Sequence, residues 1–216
     1  MRSRILKGDR LLTHSLLIAT LGATAPVLPA ANRLDPASAE FVMIQPANDA
    51  GAARMQHRAS LRLRAQARIE ADRALFTDSE LTDIETRYRS AHQEGPALVR
   101  VAEGPQILRD LAQRYPRSNR AGCAVLELAQ LSTGVARERY LREAIAAHSD
   151  AWFESGVQVG ALARAMLALH LAALERFDDA EQVAAELVER FPGAIDQSGA
   201  TLDDTLSSIK LLRSPE

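Results

Sequence analysis

From Thr77 onward the apolar side chains recur at helical spacing over most of the chain. Thr77-Asp78-Ser79-Glu80 has the form of a capping box, and Leu81, Ile84 and Tyr88 follow it every three or four residues, which predicts a helix. Further helical runs are AGCAVLELAQL (121–131), ARERYLREAIAAH (136–148) and VGALARAMLALHLAAL (159–174). Glu-Gly-Pro occurs at 94–96 and 103–105, and each copy predicts a break followed by a helix start. Near the end, Thr201-Leu202-Asp203-Asp204 reads as another cap, with Leu202, Leu206 and Ile209 on one face of a closing helix. Upstream, residues 54–76 carry only a thin stripe, Leu61, Ala65, Ile69 and Phe76, amid arginine. That segment predicts a basic helix packed on the domain by one edge, with a membrane-surface or RNA-binding helix as the competing reading.

The chain matches itself at long offset. QILRDLAQRYPRS (106–118) aligns without gaps to QVAAELVERFPGA (182–194), pairing Ile107 with Val183, Leu111 with Leu187, Arg114 with Arg190, Tyr115 with Phe191 and Pro116 with Pro192. Each segment is an amphipathic helix ending in an aromatic and stopped by proline. With Leu167-Ala168 at a helix crossing, Ala180 opening the next helix and Pro192 ending it, residues 77–194 resemble the tetratricopeptide repeat family. The resemblance departs at Arg164, Leu171 and Ala184, where the family favours aromatics, and at Ser149, which replaces a terminal proline. It implies an all-α fold: a short right-handed α-solenoid of antiparallel helix pairs, about seven helices, over 77–216 with a terminal capping helix. It also implies that the first helix of each pair lines a concave surface for a partner peptide.

Composition changes the picture at the N-terminus. A basic lead, MRSRILKGDR, precedes an apolar, small-residue stretch, so residues 1–30 read as a secretory signal peptide and the periplasm or exterior as the destination. An uncleaved membrane anchor is the alternative. Residues 31–53 lack periodicity and read as a flexible linker. Residues 1–76 carry a charge of +5 (11 basic, 6 acidic) and residues 77–216 a charge of −7 (15 basic, 22 acidic). An acidic folded part argues against nucleic acid as partner. The lone Cys123 excludes an intramolecular disulfide, and its apolar surroundings predict a buried structural thiol.

Chemistry is sparse. No two histidines have the i, i+4 spacing of a helical zinc site, and His148-Ser149-Asp150 are adjacent residues that cannot form a relay. Gly156–Gly160 lacks the lysine of a phosphate loop, and Asp178-Asp179 reads as a helix start. No cofactor or metal is expected, and a non-catalytic adaptor for an envelope protein or peptide is the leading expectation. The candidate groove residues are Arg120, Glu127 and Gln130, expected to share an exposed helix face, with Arg164. Two repeat units of about 34 residues leave about 8 of the 76-residue offset unexplained, and 149–160 is where the excess fits, as a loop or a helix extension. There Trp152 and Phe153 either cap the core or, exposed, bind a small molecule or glycan. A purely structural assembly subunit is a further alternative.

Overall fold

The computed structural model describes residues 46–92 and 102–213. The expected signal peptide, residues 31–45 of the expected linker and the Glu-Gly-Pro at 94–96 lie outside the described residues. Within them the regular structure is all helical: α1 (Pro46–Ala71), α2 (Asp78–Ser90), α3 (Gly104–Arg114), α4 (Asn119–Leu131), α5 (Gly134–Ala147), α6 (Val159–Ala173), α7 (Phe177–Arg190) and α8 (Thr205–Arg213). The capping box forms as expected: Thr77 Oγ1 accepts from the Glu80 N–H, and the Glu80 carboxylate accepts from the Thr77 N–H at 2.9 Å. Gly104-Pro105 opens α3. α1 starts at Pro46, inside the expected linker; proline suits a first turn, and the four alanines of PANDAGAA are strong helix formers.

Each helix from α2 on packs against the next, and the even-numbered helices also touch one another: α2 on α4, α4 on α6, α6 on α8. α4 is therefore buried on all sides from Ala121 to Ala129, and α6 nearly so from Val159 to Ala168. Leu126 of α4 and Leu162, Leu167 and Leu171 of α6, with Leu141 of α5, fill the main core. Ile209 of α8 is fully buried there, and Leu206 packs against it.

From α3 on, the odd-numbered helices end alike. The residues that follow α3, α5 and α7 are Tyr115 (φ −127, ψ 56), His148 (φ −132, ψ 23) and Phe191 (φ −134, ψ 51), each bonding back to the carbonyl four residues before. From Tyr115 to His148 is 33 residues, and from His148 to Phe191 is 43. The ten-residue difference is a small hairpin that separates α5 from α6. Phe153 N donates to Val157 O, Gly156 N to Phe153 O, and Val159 N to Ala151 O, all at 2.9 Å. The same three bonds recur between α7 and α8: Asp196 N to Ala200 O, Gly199 N to Asp196 O, and Leu202 N to Ala194 O, at 2.8, 3.0 and 2.8 Å. Both turns hold a Ser-Gly with the glycine at positive φ, Gly156 at 91° and Gly199 at 87°, where a Cβ would be strained. So Gly156 is not helical and does not share a helix face with Gly160. Thr201, expected in a helix cap, instead pairs across its hairpin with Ile195, and α8 begins four residues later.

α1 straps these joints together. Its buried residues are Leu61 and Ala65, two members of the expected stripe, while Ile69 and Phe76 are half-buried. His57 Nε2 donates to Gly193 O at 2.6 Å beside the α7–α8 hairpin. Leu61 lies against Gly156 of the α5–α6 hairpin, so close that an added Cβ would sit 3.1 Å from its own. Arg68 donates to Asp150 at 3.1 Å and, in the same turn of helix, to Asp72 at 2.6 Å. Asp72 then accepts the Asn119 N–H at 2.7 Å, at the start of α4. The 26-residue helix thus crosses the three joints in reverse chain order.

Candidate functional site: two equivalent grooves

Two cavities open between the odd-numbered helices. The first, about 530 Å³, has α3 and α5 as walls and α4 as floor; the second, about 390 Å³, has α5 and α7 as walls and α6 as floor. Register makes them equivalent. Arg109, Ala112 and Gln113 of α3 stand 33 residues before Arg142, Ile145 and Ala146 of α5, the same shift that separates Tyr115 from His148. On the far walls, Arg139, Tyr140 and Glu143 stand 43 residues before Gln182, Val183 and Glu186, the shift that separates His148 from Phe191. The floors contribute Leu128 and Leu171, also 43 apart.

Each groove therefore has an arginine on its first wall and a glutamate on its second, where Arg139 or Arg176 also stands, over floor residues that are themselves buried. α5 sends Arg142 into one groove and Glu143 into the other. Glu138 braces the second trough: it accepts from Arg142 at 2.8 Å on its own helix and from Arg176, beside α7, at 3.1 Å. The Arg142 hydrogen bond, then burial working in the opposite sense, then Arg176 leave the Glu138 carboxyl below its usual range.

The residues expected to form a concave groove lie elsewhere and do other work. Glu127 is only 3 % exposed, where α2 covers α4: it accepts from Tyr88 Oη at 2.5 Å and pairs with His92 Nε2 at 2.8 Å. Burial, chiefly, holds the Tyr88 phenol above its ordinary range. Arg120 pairs with Glu85 at 2.8 Å and with Glu154, and lies 4.4 Å over the Tyr88 ring. Gln130 is half-buried. The expected exposed face of α4 is thus occupied by α2, because the residue types that suit a solvated face also suit a buried ionic seam between helices. Arg164 is 2 % exposed and donates to Ser149 Oγ and Gly160 O, both at 3.0 Å, with its guanidinium 5.0 Å over Phe191. Burial and then Arg190 lower its basicity, and Glu186, 3.6 Å away, opposes them.

Trp152 is 9 % exposed and Phe153 half-buried against the same core. The Trp152 backbone is clamped by Asn119, whose amide accepts the Trp152 N–H and donates to its carbonyl, both at 2.8 Å. The joint reading of this stretch accounts for these contacts; the ligand reading, which needed exposed rings, loses its support. A smaller cavity of about 110 Å³ lies beneath α1 between Trp152, Phe191 and Ile195. Cys123 is fully buried, and burial pushes its thiol up to about 12.

Among the described residues no helix is long and apolar enough to cross a membrane, and no group of three or more His, Cys, Asp or Glu side chains is placed to hold a metal. Compared with protein-family models, characterised proteins and solved structures, the chain has no match.

Sequence reasoning missed both grooves and the second hairpin. The hairpin had a signal: Ala151-Trp152-Phe153-Glu154-Ser155-Gly156-Val157-Gln158-Val159 aligns at offset 43 with Ala194-Ile195-Asp196-Gln197-Ser198-Gly199-Ala200-Thr201-Leu202. The offset-76 helix match obscures it, since that match skips the middle unit.

Proposed function

We propose that the chain is a non-catalytic helical-repeat adaptor of tetratricopeptide-like design that binds a protein or peptide of the cell envelope after export. In this reading α2–α3, α4–α5 and α6–α7 are successive antiparallel pairs of a short right-handed solenoid, and α8 closes it. The observation that carries the proposal is the recurrence of one groove at the same register on neighbouring repeats. A preformed trough needs little ordering on binding, so contact energy is retained as affinity. The binding surface moves from the first helices, of which α4 and α6 are buried in this fold, to the gaps between α3, α5 and α7. Export rests on the basic and apolar N-terminal pattern.

Gln113 and Ala146 are equivalent exposed positions, one on the first wall of each groove. Gln113→Trp/Ala146→Trp should fill both troughs without touching the core. Affinity capture from an envelope extract should yield a partner with the wild type and lose it with the double variant. A partner kept by the filled variant would remove the grooves from the binding surface; no partner at all would leave a structural subunit.

A further inference from the structure

The small cavity beneath α1 differs from the two grooves in its charge. α1 supplies Arg64 to it, the α5–α6 hairpin Trp152 and Gln158, and the end of α7 Arg190 and Phe191. Two arginines line it, and no aspartate or glutamate does. Both arginines are exposed, and neither has an ion pair among the described residues. The acids around them are engaged elsewhere. Asp150 pairs with Arg68 and Glu154 with Arg120, Asp196 accepts from the Ser198 and Ala200 N–H groups, and Asp203 accepts from the Gly193 N–H at 3.0 Å. Gln158 Nε2 already donates to Ser149 O at 3.1 Å, so the guanidinium groups are the donors left free. Their charge is felt inside the fold: Arg164 and Arg190 lie 5.0 and 6.0 Å from the Phe191 ring centre, and after burial it is Arg190 that lowers the basicity of Arg164.

We propose that this cavity binds a small oxyanion, a phosphate or carboxylate group held between Arg64 of α1 and Arg190 of α7. Two guanidinium groups without a counter-charge favour such a group, which accepts charge-assisted hydrogen bonds from both. The volume of about 110 Å³ is that of a few water molecules, room for one such group. Trp152 and Phe191 are walls of the site and not its recognition groups. Because the two arginines stand on different elements, an ion bound to both fastens the strap to the stack. The oxyanion is either a free ion or the terminal carboxylate of a peptide. The site is separate from both grooves, so its failure leaves the adaptor reading standing.

The test titrates the full chain at constant ionic strength with four probes: inorganic phosphate, acetate, and N-acetyl tetra-alanine with a free or an amidated C-terminus. Trp152, the chain's only tryptophan, reports binding by its emission, and hydrogen exchange reports on α1. Two charge-assisted hydrogen bonds correspond to a dissociation constant in the millimolar range. Phosphate at about ten times that constant should slow exchange of the α1 amides about tenfold while α4 and α6 stay unchanged, since it binds only with the strap closed. Arg64→Gln and Arg190→Gln should each weaken binding about fivefold or more, and together remove it, with circular dichroism unchanged. Arg54→Gln, which removes an exposed arginine of the same helix outside the cavity, should leave it within about twofold. Free-ended tetra-alanine binding tighter than acetate, with the amidated form inert, assigns the site to a peptide terminus; acetate or phosphate binding at least as tightly assigns it to the free ion. No saturable response to any probe, or the same response in Arg64→Gln/Arg190→Gln, overturns the inference. So does protection by phosphate spread equally over α1, α4 and α6, the mark of a general ionic effect.

Discussion

At the residue scale, the polar side chains most prominent in the sequence are internal fasteners. Asn119 shows how much one can hold. It caps nothing; instead its side-chain amide satisfies both backbone groups of Trp152 in a buried joint. Asn119→Ala leaves a buried N–H and a buried C=O without that partner, each costing about 1–3 kcal/mol, so the net loss should be about 2–4 kcal/mol. Asn119→Asp should be worse, since a carboxylate keeps the acceptor but turns a second oxygen toward the Trp152 carbonyl. Trp152 is the chain's only tryptophan, so its emission reports directly on this joint. Urea melts followed by that emission should show both variants shifted to lower midpoint and, for Asn119→Asp, a red-shifted native baseline. A melt unchanged for Asn119→Ala would mean that water replaces the amide and that the joint is held by packing. Arg164 belongs to the same class: its buried guanidinium bonds Ser149 Oγ and Gly160 O, so its substitution reads out as stability before it reads out as binding.

At the element scale, the helices were legible and their surroundings were not. Periodicity, the Thr77 box and the Tyr-Pro and Phe-Pro stops located the helices, because these signals are local. Which face of α4 meets solvent is decided by α2, a neighbour that no local pattern reveals, and so the local pattern alone puts Arg120 and Glu127 outside. The thin stripe of α1 predicts contact along one edge; that the edge crosses three joints depends on partners far away in sequence. That contact rests on Leu61 and Ala65, so α1 should open before the rest of the molecule. Leu61→Ala removes the larger of the two and leaves a gap against Gly156; a loss of about 2 kcal/mol, the low end for such truncations, corresponds to about 30-fold faster local opening. Hydrogen exchange should therefore speed up by that order across the α1 amides from 57 to 71 while the cores of α4 and α6 keep their protection. Equal acceleration in α4 and α6 would mean that the strap and the stack unfold as one unit, and that α1 is as integral as any helix of the core.

At the scale of the whole molecule, the question is whether the repeats unfold together. Two of the three buried clusters meet at α4: one gathers α2, α3 and the Ala124–Leu128 side of α4, the other α5 through α8 with the Cys123, Val125, Leu126 and Ala129 side of the same helix, while a smaller third joins Ala161 and Ala165 of α6 to Leu187 of α7. α4 is thus the element shared between halves, and Cys123, its fully buried thiol, sits at the seam. In a repeat array, stability is a sum of units and interfaces, and a weak interface allows one end to open alone. Here α4 contributes to both clusters, so opening either half strips one face of α4 and should draw the other with it. The thiol makes this measurable. With its pKa raised to about 12 by burial, Cys123 reacts with an aromatic disulfide reagent only when α4 is exposed. Labelling under native conditions, in the regime where closing is faster than reaction, should give an opening free energy equal to that from the Trp152 melt. Labelling faster than the melt allows would locate a partial opening at the α2–α4 seam, where Glu127, Tyr88 and His92 meet. In that case the grooves, which need α3 and α5 held in register by α4, would be only as persistent as the ionic seam behind them.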